Sequence, residues 1–210
     1  MIESIITPGM GVNCYLVSCD KTKKAILVDP GAGGKKILDW IKGKGFEITT
    51  IVLTHGHFDH IGAVDFLRKE LGVKVAIHGD DAEMLTNPQK NLSYFTGLTI
   101  KLQPAEILLK DKQELVVGKM TIKILHTPGH TPGGICLLTP EGLLSGDTLF
   151  NGSIGRTDFP GGDMKQLIKS IKEKLMVLED DLSVYPGHEA VTTIGRERKY
   201  NPFINGALEC

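Results

Sequence analysis

The run Thr54-His55-Gly56-His57-Phe58-Asp59-His60-Ile61-Gly62 places three imidazoles and a carboxylate within six positions. All four are ligand types for first-row metals, and the chain of 210 residues has only seven histidines in all. The spacing differs from the helical H-E-x-x-H zinc pattern, and these donors read as belonging to a loop. Three further loops each bring one donor beside glycine: His130 within Leu125 to Gly134, Asp147 after Leu144-Ser145-Gly146, and His188 after Val184-Tyr185-Pro186-Gly187. Glycine permits the tight backbone that such a site requires. His55, His57, Asp59, His60, His130, Asp147 and His188 together exceed what one tetrahedral zinc needs. They match two ions sharing a carboxylate, with water completing the shells. Such a pair lowers the pKa of bound water from near 16 to about 7 and polarises a carbonyl, which is the chemistry of hydrolysis. His78 has no second donor at useful spacing and reads as structural, and His126 reads as structural or as a supporting partner.

The elements that must aim these residues are short. Ile48 to Leu53 is an apolar, β-branched run expected to form a buried strand ahead of the first donor loop. After the loop, Ala63 to Leu71 has helical apolar spacing, with Gly72 placed to end the helix. Asn13 to Ser18 and Ala25 to Val28 read as strands joined by a charged turn, and Ile37, Leu38 and Ile41 mark one helix face. Asp29 is either a helix-entry cap or a partner that orients a ligand histidine. Val73 to Ile77 reads as a strand, and Asp80 to Glu83 resembles a capping box before a short helix. Residues Asn87 to Pro104 form a turn-rich connection, read either as a binding loop with Tyr94 and Phe95 as substrate contacts or as a surface excursion. In the second half, Leu115 to Val117, Met120 to Leu125, Ile135 to Leu138 and Leu143-Leu144 read as strands. Asp163 then starts a helix bearing Leu167, Ile168, Ile171 and Leu175. Strands with alternating burial, interspersed with helices in both halves, predict an α/β sandwich of two mixed sheets with helices outside.

Composition narrows the function classes. With 41% hydrophobic residues the chain can bury a substantial core, and the net charge of −1 with scattered Lys and Glu argues against a nucleic-acid surface. No apolar run approaches the roughly 20 residues that span a bilayer. The start, Met1-Ile2-Glu3-Ser4, lacks the basic region of a secretory signal. Cys14, Cys19, Cys136 and Cys210 show no C-x-x-C spacing. A reducing, cytoplasmic setting is the expectation.

The H-x-H-x-D-H run, followed by a lone His, an Asp and a final His after strands, resembles the metallo-β-lactamase superfamily. Within it the chain is similar to the short bacterial glyoxalase II-like (hydroxyacylglutathione hydrolase-like) branch. Val28 to Gly31, His126 to Gly133, Gly146 to Phe150, Gly155 to Asp163, Tyr185 to Glu189 and Asn201 to Phe203 carry the likeness further. The resemblance implies a four-layer αβ/βα sandwich and a single domain over residues 1–210. It implies one metal on His55, His57 and His130, another on Asp59, His60 and His188, and Asp147 bridging them. The two divalent ions are expected to be zinc, with iron or manganese admitted by the same ligands. The implied reaction is cleavage of a thioester by a bridging hydroxide, with Asp59 and Asp147 as catalytic carboxylates. S-lactoylglutathione or a related small thioester is the implied substrate, and no nucleic acid or membrane is an expected partner. Arg156 holds the position of a basic residue that contacts the thiol moiety, or else braces the Asp147 loop. Full-length glyoxalase II enzymes add a helical C-terminal domain that shapes the glutathione site and that is not expected here, so a smaller thiol is also compatible. A mononuclear-iron persulfide dioxygenase, a lactone or other ester hydrolase, and a purely structural metal-binding domain are the competing expectations. A true β-lactamase is disfavoured, because those enzymes lack the bridging carboxylate.

Overall fold

A computed structural model describes residues 1–206 of the chain, and Cys210 lies outside the described residues. The first half forms a six-stranded sheet from β1 (Ile2–Ile6), β2 (Asn13–Cys19), β3 (Lys24–Val28), β4 (Glu47–Val52), β5 (Lys74–His78) and β6 (Ile107–Leu109), in that spatial order. β1, β2 and β3 pair antiparallel, and β3 to β6 pair parallel. The second sheet has β7 (Glu114–Val117), β8 (Met120–His126), β9 (Ile135–Thr139) and β10 (Gly142–Gly146) as an antiparallel meander. A two-stranded ribbon, β11 (Leu149–Phe150) and β12 (Ser153–Ile154), stands apart. The second sheet is completed by β13 (Ser183–Pro186), parallel to β10, and β14 (Thr192–Thr193).

Period-two alternation explains the layering. Along β2, Cys14 and Leu16 face outward helices, whereas Tyr15 and Val17 face the other sheet. Tyr15, Val17, Ile26, Val28, Ile122, Ile124, Leu137 and Leu144 form the seam between the sheets. On the outside of the first sheet, helices α1 (Gly34–Lys42) and α3 (Val64–Leu71) bury Ile37, Leu38, Ile41, Val64 and Leu67. The second sheet is covered by α4 (Met164–Ser170), a π-helical continuation over Ile171–Leu175, and α5 (Ile194–Tyr200). Between β4 and α3 lies one further turn of helix, α2 (Phe58–Ile61). The four-layer α/β sandwich expected from the sequence is therefore present. One detail differs: β2 is buried along its whole length, because helices cover one face and the second sheet the other. Gly72 ends α3 in the left-handed conformation (φ 66°), its N–H reaching the Arg68 carbonyl. Among the described residues, no helix is long and apolar enough to cross a membrane, and Cys14, Cys19 and Cys136 are free.

Leu137 is fully buried in the seam. Leu137→Ala is expected to destabilise the protein by about 2–5 kcal/mol through the cavity it leaves, measured as a lowered midpoint in urea unfolding at unchanged slope.

Candidate metal centre

Strand ends bring the donors together. β4 ends at Val52, and just beyond it the Thr54 carbonyl accepts from the Ile135 N–H at 2.9 Å, so the two sheets are tied where the donor segment begins. His55 and His57 follow on extended chain, but Asp59 and His60 sit on α2 with His57 at its N-cap. The cluster expected on a loop is thus split between a loop and a helical turn, with the His60 ring still 4.1 Å from that of His55 between centroids. His130 arrives after β8, Asp147 directly after β10 and His188 directly after β13. The last two loops are joined by the Gly187 N–H donating to the Gly146 carbonyl at 2.8 Å. A Cβ on Gly187 would overlap Asp147 Oδ1 and His60 Cε1, so only glycine allows the approach.

Three overlapping groups of donors result among the described residues: His55, His57 and His130; Asp59, His60 and His188; and Asp29, His55 and His60, in which Asp29 holds the outward nitrogen of His60, so that the first two are the triads facing the cavity. His57 Nδ1 lies 2.9 Å from His130 Nε2, and His60 Nε2 lies 3.3 Å from His188 Nε2. Asp147 stands between the triads, its carboxylate 3.4 Å from His60 Nε2, 3.6 Å from His188 Nε2 and 3.7 Å from His130 Nε2. His55 Nε2 and Asp147 Oδ1 are buried and have no hydrogen-bond partner, although native proteins rarely leave such atoms unpaired. Ring nitrogens facing one another, together with orphaned acceptors around them, suit divalent metal.

On three of the five rings the outward nitrogen is already engaged, which fixes which nitrogen points inward. His60 Nδ1 meets Asp29 Oδ2 at 3.0 Å, His130 Nδ1 donates to the Arg156 carbonyl at 2.7 Å, and His55 Nδ1 lies 3.1 Å from Thr54 Oγ1. Asp29 also accepts from Thr54 N at 2.8 Å and Thr54 Oγ1 at 2.6 Å. Of its two expected roles, the ring-orienting contact is the one formed. The N-cap of α1 is Gly33, and that cap has no side-chain hydrogen bond.

Charge divides the triads. Burial, reinforced by the neighbouring imidazoles, holds His55 far below the usual histidine range and His57 at about 3, so both rings are neutral. Burial would lower His60 as well, but Asp147, Asp29 and Asp59 outweigh it and lift that ring to about 10. His188 is likewise raised: burial is outweighed by its bond to Asp59 and the charge of Asp147. Asp59 is held well below the carboxylate range, the hydrogen bond from His188 and the charge of His60 overcoming burial. The second triad therefore attracts positive charge more strongly than the first.

Five of the donors, His57, Asp59, His130, Asp147 and His188, form the floor of an open cavity of about 560 Å³, walled by Met10, Phe58, Leu92, Phe150, Ile154 and Phe159, with Arg156 and Glu189 as charged lining residues. The Arg156 guanidinium makes two 2.8 Å bonds to Asp158 and lies 3.8 Å above the Phe159 ring. Tyr94 and Phe95 do not line this cavity. Leu92, in a left-handed conformation (φ 69°), reverses the chain and takes the wall position. The two aromatics are left 61% and 70% exposed, edge-to-face against each other.

Asp81 is a supporting residue that sequence reasoning missed. It was expected in a capping box, but the helical turn Gly79–Leu85 is capped by His78, whose ring accepts from Asp80 N. Asp81 is instead fully buried and accepts from Gly133 N at 2.6 Å, Thr131 Oγ1 at 2.7 Å and Gly56 N at 3.2 Å. Burial raises its pKa and these three bonds pull it back. One carboxylate thus staples the His55–His57 segment to the His130 loop. The sequence shows only two adjacent Asp, which helix-start chemistry explains equally well.

Residues 7–188 match the model of the metallo-beta-lactamase superfamily. The chain belongs to that superfamily. Among curated relatives, hydroxyacylglutathione hydrolase GloC of Haemophilus influenzae is 36% identical, over 97% of this chain and 98% of its own length. The crystal structure of BLEG-1, a B3 metallo-beta-lactamase, has a TM-score of 0.93 at 38% identity, covering 98% of this chain and all of that one. TTHA1623, solved in a di-iron-bound form, has a TM-score of 0.86 at 35% identity, over 96% of this chain and all of its own. A metallo-hydrolase built around divalent metal is the reading common to family and geometry.

Asp81→Asn keeps the side-chain volume but turns an amide N–H toward donors. It is expected to weaken metal binding by about 10–100-fold, with the loss in the His55, His57 and His130 triad, measured by chelator competition on the folded variant.

Proposed function

We propose that the protein is a glyoxalase II-like thioester hydrolase that holds two divalent ions, zinc in the first instance with iron or manganese as alternatives, and acts on a small hydroxyacyl thioester. The observation that carries this reading is the position of Asp147 between two donor triads that reach the floor of an open cavity through His57, His130, Asp59 and His188. Bound there, the ions would supply an activated water and a Lewis acid for the carbonyl. His55, His57 and His130 would hold one ion, and Asp59, His60 and His188 the other, with Asp147 shared. The 36% identity to GloC supports thioester hydrolysis, and the di-iron form of TTHA1623 supports a dinuclear centre.

The chain's own groups fit a thiol leaving group. A departing thiolate, with a pKa near 8.5, needs little help from an acid, and besides Asp147 the cavity is lined by only two carboxyl groups, Asp59 and Glu189. The walls of Phe58, Phe150, Ile154 and Phe159 exclude water from an acyl chain. The charged lining, Arg156 with Glu189, can receive the polar part of a thiol such as glutathione. The substrate is a small molecule, with neither nucleic acid nor membrane as partner. The likeness to BLEG-1 supports β-lactam hydrolysis as a second reading. That reaction expels an amine nitrogen, which has to be protonated before it departs.

The test is an anaerobic assay of metal-loaded protein on S-lactoylglutathione, smaller thioesters and a β-lactam. Thioester turnover without oxygen is expected, and turnover of the β-lactam alone would replace the reading with the second one. Asp147→Ala is expected to lose one ion by metal analysis and at least about 100-fold in kcat, since even the partners behind a ligand matter that much. Arg156→Ala should raise KM for acidic thioesters about tenfold, the worth of one charged hydrogen bond, with kcat nearly unchanged. An unchanged KM would leave the arginine a bracing role alone.

A further inference from the structure

The β11–β12 ribbon belongs to neither six-stranded sheet, yet it supplies Phe150, Ser153 and Ile154 to the cavity wall. It lies in the chain between Asp147 and Arg156, and its Phe150 ring stands edge-on to His188 with centroids 6.3 Å apart. Two strands of two residues each cannot hold their own shape in water. The ribbon is instead tied at both ends. At its base, Ser145 Oγ donates to the Leu149 carbonyl at 2.8 Å. At its tip, the Gly152 N–H donates to Glu197 Oε2 at 2.7 Å, and the Ser153 carbonyl accepts from Asn201 Nδ2 at 2.9 Å.

Glu197 lies on α5 and Asn201 is its C-cap; both are fully buried, and neither lines the cavity. Asn201 Nδ2 also donates to Glu197 Oε2 at 2.9 Å, and Thr192 Oγ1 donates to Oε1 at 2.6 Å. Arg196, 3.6 Å away and half exposed, compensates the carboxylate only weakly. A carboxylate buried in this way is a poor source of stability, because desolvation offsets its bonds. What it supplies is one permitted arrangement: the tip's N–H on Glu197 and its carbonyl on Asn201 at the same time. A ribbon displaced by one residue loses both.

We propose that Glu197, assisted by Asn201, is a positioning residue for substrate affinity: it fixes the ribbon tip so that Phe150 and Ile154 wall the cavity beside His188, where the acyl arm of the substrate packs. The identity of that substrate rests on the thioester reading, whereas the ribbon tie rests on the geometry alone. Because Ser145 holds the base of the ribbon separately, losing the tip tie moves the wall and spares the donor triads. The wall contacts ground state and transition state alike, so the loss falls on KM and leaves kcat in place.

The experiment compares metal-loaded wild type with Glu197→Gln, Glu197→Ala and Asn201→Ala. Glutamine can set its carbonyl oxygen on Gly152 and Asn201 and its amide on Thr192 Oγ1, a hydroxyl that accepts as well as donates. Amide hydrogen exchange over residues 149–156 reads the ribbon directly and needs no substrate. In Glu197→Ala it is expected to quicken about tenfold, the worth of a hydrogen bond to a charged group, with exchange in β8, β9 and β10 unchanged. KM for small thioesters is expected to rise about tenfold with kcat within about twofold and metal content unchanged, and Glu197→Gln is expected to restore both readouts. If Glu197→Ala does not fold, Asn201→Ala, which spares the Gly152 bond, carries the same comparison with smaller changes. Wild-type exchange in the folded alanine variant, or faster exchange at unchanged KM, overturns the proposal, as does a joint loss of kcat and metal. A wild type inert towards thioesters but active on the β-lactam defeats the thioester reading instead, and the KM comparison is then made on the β-lactam.

Discussion

Placing three carboxylates among five imidazoles inside a protein is the constraint on which the rest of this structure depends. Asp29 is 1% exposed, and the side chains of Asp59 and Asp147 are only 13% and 12% exposed. Desolvating an ion costs several kcal/mol even after relaxation, so each must find compensation. Asp29 finds it in two bonds from Thr54 and one from His60; Asp59 finds it in His188. Asp147 has charged neighbours but an oxygen with no hydrogen bond. A divalent cation would supply that oxygen with its missing partner, and binding energy gained in this way adds to folding stability.

The same constraint explains the backbone. Seven side chains from four segments meet only if the strands stop at one edge of the sandwich and their loops nearly touch. Gly146 adopts φ +49° against Thr54, and Gly187 leaves room for Asp147 and His60. The helices contribute little to the donor set beyond α2. Their work is to seal the outer faces, so that the strands are buried on both sides and their ends are held at fixed spacing.

Much of this was legible in the sequence, for identifiable reasons. The donor inventory could be read because His and Asp beside glycine at strand ends have few other uses, and the sheets because their strands are strongly apolar. Short edge elements were not legible: β1, Ile-Glu-Ser-Ile-Ile, is half exposed and only five residues long. Long-range pairs were also hidden. Asp81 acts across fifty residues on Thr131, and His78 meets His126 from the other sheet. Sequence spacing carries no signal for either contact. Tyr94 and Phe95 admitted two readings, binding-loop contacts or a surface excursion, because the sequence does not show that Leu92 is the residue of this connection that lines the cavity.

Arg156 illustrates why one residue supported two readings. Its carbonyl orients His130, and its side chain covers Phe159, whose ring stands edge-on to His57 with centroids 6.0 Å apart. Gly155 N donates to Thr148 beyond Asp147, Asp163 N donates to Gly129, and the Asp163 side chain caps α4. The segment from Gly155 to Asp163 is therefore both the brace behind the donors and the cavity wall in front of them. Bracing resides in the backbone, which any residue at 156 would supply, whereas recognition resides in the guanidinium. Because Asp158 engages that guanidinium through two bonds, an acidic substrate must compete with a carboxylate already in place. The segment thus favours ligands whose charge adds to the Arg156–Asp158 pair over those that have to break it.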